Sequence, residues 1–186
     1  MGPHDPVVCT GSIRLGDHVF HCWRKQGHGV MTMREAIKHS CDVYFYECGR
    51  RTGIAPISDM ARRFGLGEKH NLGLPEEKAG LAPSPEWKRA RFNQPWTGGE
   101  TLIAAIGQGY WQTTPLQLAV ATARLASGGK TVTPRLFRNP AGEWPEPDEL
   151  GIDARHLELV HDGMWAVVNE PGGTAYGKRM QGNGYA

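Results

Sequence analysis

The chain predicts a helix-rich α/β architecture, on three observations. Apolar stripes recur at helical spacing, the longest running through Met33, Ile37, Cys41, Tyr44, Phe45 and Cys48. An alternating run over 130–138 has the two-residue period of a strand. The 25 glycines and 13 prolines among 186 residues separate these elements with loops and turns. The length suits one domain. At 39% hydrophobic and 22% charged residues the composition is globular, and a formal net charge of +2 leaves no electrostatic footprint for nucleic acid. No apolar run approaches the roughly 20 residues of a membrane-spanning helix, and the first residues lack a signal-peptide core, so the chain is expected to be soluble.

Residues 1–31 form a Cys/His-rich, loop-dominated lobe with short β-like runs such as Val19-Phe20, and 32–186 form a helical core with strand segments. Thr32-Met33-Arg34-Glu35 has the pattern of a capping box, so a helix is expected to start there. Its stripe is one helix, or two broken near Ser40. A second helix is expected over 56–64, where Ile57, Met60, Ala61 and Phe64 share a face and Gly65 and Gly67 stop it. The stretch 67–100, rich in proline and glycine, reads as a long surface excursion. Residues 101–106 are a buried strand or a helix start. Thr114-Pro115 pairs an N-cap with proline at the first helical position, and 116–126 is apolar nearly all round, as in a central buried helix. Gly128-Gly129 ends it. Asp153 caps a last helix with the stripe Leu157, Val160, Met164 and Val167 or Val168, which stops at Pro171-Gly172-Gly173. The final residues, 181–186, have no terminal character.

Four cysteines are too few for a disulfide-dense scaffold. Cys9, Cys22, His28 and Cys41 are of the residue types that close a tetrahedral structural zinc site, although their spacing is wider than in a zinc finger. A Cys9–Cys22 disulfide and unbonded core cysteines are the other readings, and core packing is the reading for Cys48. His4, His18 and His21 are alternative ligands. His28, between Gly27 and Gly29, is the best placed to turn inward.

Ser40-Cys41-Asp42 sets a hydroxyl and a carboxylate on one side of a bent stretch and Cys41 on the other. Such a pair can relay protons. From the triplet alone, capping of the next turn is the stronger reading. Lys88, Arg89 and Arg91, flanked by Trp87, Phe92 and Trp96, read as a solvated charged face over a hydrophobic anchor rather than as a base-stacking surface.

Taken together, His28-Gly29, Ser40-Cys41-Asp42-Val43-Tyr44-Phe45-Tyr46, Leu74-Pro75-Glu76-Glu77, Trp87-Lys88, Ile106-Gly107-Gln108-Gly109 with Thr114-Pro115-Leu116-Gln117, and Gly173-Thr174-Ala175 resemble the penicillin-binding protein 2 family. These are the monofunctional class B transpeptidases of bacterial cell elongation. The resemblance runs from about residue 7 to the end. It implies a piece of the penicillin-binding/serine β-lactamase-like transpeptidase fold. It also implies a D,D-transpeptidase that cross-links peptidoglycan stem peptides through an acyl-enzyme and is acylated by β-lactams.

The family uses a nucleophile Ser-x-x-Lys, a middle Ser-x-Asn and a Lys-Thr-Gly strand. Ser40-Cys41-Asp42 matches the middle motif, with Asp in place of Asn. None of Ser12, Ser40, Ser58, Ser84 and Ser127 is taken as the nucleophile, and Gly129-Lys130-Thr131 is followed by Val132. The chain is therefore expected to be an internal piece, inactive by itself, with Ser-x-x-Lys upstream of Met1 and Lys-Thr-Gly beyond Ala186. By resemblance Ser40 shuttles a proton to the leaving amine and Asp42 binds the substrate amide. Some relatives carry a metal beside the active site, with ligands at positions matching Cys9, Cys22, His28 and Cys41; others have carboxylate or small residues there. The resemblance further implies a protein on the periplasmic face of the inner membrane, working with a membrane glycosyltransferase and elongation-complex proteins. A β-lactam-sensing or β-lactam-hydrolysing relative, and a zinc-stabilised interaction domain without chemistry, are the alternatives.

Overall fold

The computed structural model describes residues 2–140, 142 and 144–179; the expectation for 181–186 lies outside the described residues. In chain order the elements are β1 Val7–Cys9, β2 Ser12–Leu15, β3 His18–His21, β4 Gly29–Met31, α1 Met33–Lys38, α2 Asp42–Thr52, α3 Ile54–Arg63, α4 Pro85–Phe92, α5 Gly98–Ala105, α6 Pro115–Ala126, α7 Ala154–Asn169 and a short 3₁₀ turn, Tyr176–Lys178. They belong to two units. One takes residues up to 53, 97–108 and those from 158 on; the other takes 54–96 and 109–157. No helix among the described residues is long and apolar enough to cross a membrane.

In the first unit, the lobe expected to be irregular is two antiparallel pairs. β1 pairs with β4, with Cys9 opposite Gly29 and Val8 opposite Val30; β2 pairs with β3. The two-residue period buries Cys9 and Met31 and exposes Val8 and Val30. Around them the core gathers Cys22, Ala36, Cys41, Val43, Tyr44, Tyr46 and Leu102. The stripe 33–48 is two helices, broken at Ser40, whose φ of 52° is left-handed. Thr32 is the N-cap of α1, but its side chain makes no capping bond. Glu35 instead turns to Arg34 at 3.2 Å and His39 at 3.4 Å. A two-sided capping box forms at Thr97 and Glu100, opening α5, so 101–105 is helical and Ile106 is the C-cap. α2 and α5 meet at Gly49. An added Cβ there would lie 2.6 Å from the Ala105 Cβ, closer than two methyl groups pack.

In the second unit α6 starts with the Thr114–Gln117 capping box and proline. Gln117 is fully buried. Its Nε2 donates to the carbonyls of Glu68 and Ala79 at 2.7 and 2.8 Å, which pins the 67–80 excursion to the helix. The expectation of a buried α6 does not hold: only Gln117 and Val120 are buried, and Leu118 is 53% exposed. The excursion is not all loop either. Ser84-Pro85 opens α4, and the Ser84 hydroxyl accepts from the Trp87 N–H at 3.2 Å. The hydrophobic anchor is present, with Tyr110 packing against Trp87, Phe92 and Trp96 at centroid distances of 5.1–6.0 Å. Lys88, expected on a solvated face, is buried. The alternation over 130–138 makes no strand. It makes one bridge, Lys130 to Glu149, because no neighbouring strand is present among the described residues. Asp153 caps α7 as expected, accepting from the Arg155 N–H at 2.9 Å. On α7 Leu157 is buried; of the helix residues that belong to the first unit, Met164 is 41% exposed and Ala166 is fully buried.

Candidate functional site

All the residues singled out as ligands and catalytic groups lie in the first unit. Cys9 comes from the end of β1, Cys22 follows β3, His28 precedes β4, and Cys41 sits between α1 and α2. Their ligand atoms lie within 4.8 Å of one another. His28 Nδ1 is 3.6 Å from the Cys9 sulfur and 3.5 Å from the Cys22 sulfur. Nitrogen and sulfur donors on a tetrahedral zinc stand about 3.5 Å apart, given Zn–N of about 2.0–2.1 Å and Zn–S of about 2.3 Å. The three cysteines are buried and none is joined in a disulfide. The arrangement can hold a metal ion. His4, His18 and His21 are exposed and outside the cluster.

The local backbone explains the convergence. Gly27 has φ +81°, and a Cβ there would lie 2.2 Å from the Cys9 carbonyl oxygen. The chain bearing His28 therefore passes directly against the chain bearing Cys9, which only glycine permits. Burial pushes the Cys22 and Cys41 thiols up and the His28 imidazole down. Each shift favours the uncharged side chain. A cation placed among them reverses that preference by drawing the thiols into thiolates. His28 Nε2 is buried and without a hydrogen-bond partner.

Cys41 belongs to this cluster and its two neighbours do not. Ser40 is exposed; Asp42 is the first residue of α2. Neither caps the helix: the N-cap is Cys41, with no side-chain capping bond, which removes the capping reading of the triplet. The Asp42 carboxylate accepts from the backbone N–H of Trp23 at 2.9 Å. The Trp23 indole N–H donates to the carbonyls of His39 and Ser40 at 3.1 and 2.9 Å. The Ser40 hydroxyl lies 3.0 Å from the Thr174 hydroxyl.

Two of these partners were not among the candidates. Trp23 carries a signal only through its position after Cys22. Thr174 stands in the quoted Gly173-Thr174-Ala175, with nothing in the sequence linking it to Ser40.

The letters Ser127-Gly128-Gly129-Lys130 spell Ser-x-x-Lys. They do not make a nucleophile. Ser127 is the C-cap of α6 and its hydroxyl donates to the Arg124 carbonyl at 3.1 Å. Gly128 and Gly129 are left-handed, so no helical turn brings Lys130 back over Ser127. The Lys130 ammonium stands 3.6 Å from Glu146.

Comparison with known proteins agrees with the geometry. The family model described as the penicillin-binding protein transpeptidase domain matches residues 5–186. The chain is 36% identical over 162 residues to the peptidoglycan D,D-transpeptidase MrdA of Escherichia coli K12, covering 83% of this chain and 26% of that protein. It is 44% identical over 153 residues to MrdA of Acinetobacter baumannii, covering 82% and 23%. The chain thus spans about a quarter of the length of these curated relatives. Among solved structures, penicillin-binding protein 2 of Helicobacter pylori, in its complex with MreC, superposes with a TM-score of 0.88 at 37% identity, covering 97% of this chain and 34% of that one. A match over nearly the whole chain, on a fold that these structures share, means that the chain belongs to the penicillin-binding protein transpeptidase domain family.

Proposed function

We propose that this chain supplies the middle motif of the active site of a peptidoglycan D,D-transpeptidase, with Ser40 and Asp42 as its contribution to the chemistry. The observation that supports the reading is the break between α1 and α2. It exposes the Ser40 hydroxyl, turns its backbone left-handed, and roots the loop through Cys41 in a buried cluster.

The substrate class is the D-Ala-D-Ala stem peptide of peptidoglycan, and β-lactams act as its mimics. A nucleophilic serine from a Ser-x-x-Lys motif attacks the peptide carbonyl and forms an acyl-enzyme. Ser40 hands a proton to the departing amine, and the Asp42 carboxylate binds the substrate amide. A second strand's amine then takes the acyl group. The loop is held before substrate arrives, so little ordering is left to the reaction itself.

Cys9, Cys22, His28 and Cys41 would hold a zinc ion. With four protein ligands it is structural, and its contribution is to tie the loop at Cys41 to the β1–β4 lobe. The partners are a membrane glycosyltransferase and elongation-complex proteins, in line with the H. pylori relative seen with MreC. The site works on the periplasmic face of the inner membrane, where the stem peptides are.

The test uses the whole protein that carries this chain. Ser40→Ala is expected to slow acylation by a fluorescent penicillin by about 100-fold or more, the scale of lost proton transfer. Its metal content should stay the same. Wild-type acylation in Ser40→Ala would remove Ser40 from the chemistry.

A further inference from the structure

The segment after α7 folds back onto the loop that carries Ser40. Three contacts join them. The Thr174 backbone N–H donates to the Lys38 carbonyl at 3.2 Å. His39 Nδ1 lies 3.0 Å from the Gly172 carbonyl. The Thr174 hydroxyl lies 3.0 Å from the Ser40 hydroxyl. The turn that aims Thr174 needs both glycines before it. Gly172 has φ +87°, with the His39 ring 3.2 Å from where a Cβ would stand. A Cβ on Gly173 would collide with the Val167 and Ala166 carbonyls at 2.3 and 2.5 Å. Behind the turn, α1 and α7 are clamped by charge. Arg34 donates to Asp162 at 2.6 Å and to Glu170 at 2.5 Å, and Lys38 reaches Glu170 at 2.7 Å.

Thr174 therefore reaches Ser40 on a fixed base rather than as a side chain that happens to lie near. A serine hydroxyl rotates freely unless a partner holds it. Proton delivery demands one direction, since the hydrogen must point at the leaving nitrogen. Ser40 is exposed, and the residue across from it offers a hydroxyl that can donate as well as accept.

We propose that Thr174 is a positioning residue for Ser40: its hydroxyl holds Ser40 Oγ in the rotamer from which Ser40 serves the leaving amine. The proposal rests on the reading of Ser40 given above. It gives the Gly172-Gly173-Thr174 sequence a purpose, the glycines making the turn and the threonine supplying the hydroxyl.

The experiment compares Thr174→Val, Thr174→Ser and Ser40→Ala in the whole protein, reading acylation by a fluorescent penicillin at saturation and the melting temperature. Valine keeps the shape and removes the hydroxyl; serine keeps the hydroxyl and removes the methyl. Thr174→Val is expected to slow maximal acylation by about 10- to 100-fold, the scale of a misaligned reacting group, at an unchanged half-saturating concentration. Thr174→Ser should return to within about threefold of wild type, as a hydroxyl-dependent role requires. Thr174→Ala replaces the valine variant if that one does not fold. Equal losses in the serine and hydroxyl-free variants would make the role one of packing and overturn the proposal. A wild-type rate in Thr174→Val beside a slow Ser40→Ala would overturn it and leave Ser40's role standing. A wild-type rate in Ser40→Ala would overturn the reading of Ser40 itself.

Discussion

The backbone N–H of Trp23 donates to the Asp42 carboxylate at 2.9 Å, so the residue after one cysteine of the buried cluster holds the residue after another. Cys22 and Cys41 converge inside while Trp23 and Asp42 meet outside. The Trp23 indole adds a bond to each carbonyl on the far side of the break, at His39 and Ser40. The exposed loop is thereby gripped at both ends by a single residue of the lobe.

Trp23→Phe keeps the backbone N–H and an aromatic ring, though a smaller one, but deletes the indole donor. The two carbonyls are solvent-accessible and water replaces the lost partner, so the expected cost is at the level of one hydrogen bond, about 0.5–1.5 kcal/mol. Local opening should rise more visibly than global stability falls. Amide hydrogen exchange at 40–42 is expected to quicken while the amides of α5 keep their rates. Unchanged exchange at 40–42 would show that the indole does not hold the loop.

No serine of this chain is expected to be acylated by a fluorescent penicillin, as intact mass would record. Nucleophilic catalysis needs a hydroxyl beside a base that takes its proton. Ser127 has the Ser-x-x-Lys letters but spends its hydroxyl on the Arg124 carbonyl, and Lys130 lies beyond two left-handed glycines. Ser40 faces Thr174, not an amine. A covalent adduct on Ser40 would recast it as a nucleophile.

Local signals in this sequence translated well where the structure satisfied them locally. Thr114-Pro115 did so; of the two readings left open for the stripe 33–48, the structure takes the one broken at Ser40, whose backbone is left-handed. The Cys/His set was legible from donor chemistry, because few other reasons bring three thiols and an imidazole into one quarter of a chain. Thr32 is the N-cap, but the Glu35 half of its capping box fails because that carboxylate turns to Arg34 and His39. Residues 130–138 failed as a strand because alternation names a face and not the strand that must pair with it. Trp23 and Thr174 were invisible for a related reason. Their bonds to the Ser40 loop span 16 to 134 residues of chain, and only the folded backbone creates them.

Glu170 predicts a pH dependence. Its hydrogen bonds to Arg34 and then Lys38 hold its carboxyl down at about 2, against an ordinary value of 4.5. A depressed carboxyl stabilises the folded state fully above the unfolded value, and that stabilisation disappears as pH falls through the folded value. The clamp between α1 and α7 should thus be complete above about pH 4.5 and weaken from there toward pH 2. Glu170→Gln should melt below the wild type at neutral pH and approach it in acid. A gap independent of pH would mean that the charge of Glu170 contributes nothing.

Gly49→Ala tests the approach of α2 to α5. In an open helix alanine stabilises by up to about 1 kcal/mol relative to glycine. Here the new methyl would stand 2.6 Å from the Ala105 Cβ, with the Thr101 carbonyl 3.3 Å away. Overpacking of this kind costs about 1–3 kcal/mol, so overlap outweighs propensity and a net loss is expected in denaturant unfolding. Adding Ala105→Gly should recover part of the loss, which a double-mutant cycle measures. A stabilised single variant would place the two helices farther apart.

Zinc is the last expectation. The purified chain should carry about one zinc ion, since the four donors fill a tetrahedral shell and leave no place for water. A ligand set formed only by folding couples metal affinity to stability. Chelation should therefore lower the melting temperature, and resupplied zinc should restore it. Cys41→Ala should lower both zinc content and melting temperature and should also loosen the amides of 40–42, because Cys41 is where the cluster meets the exposed loop. Cys48→Ala serves as the control: it lies outside the cluster, and its zinc content should match the wild type. Should oxidised, metal-free protein with a Cys9–Cys22 disulfide prove to be the stable form, the cluster would be a covalent staple and the zinc assignment would fall.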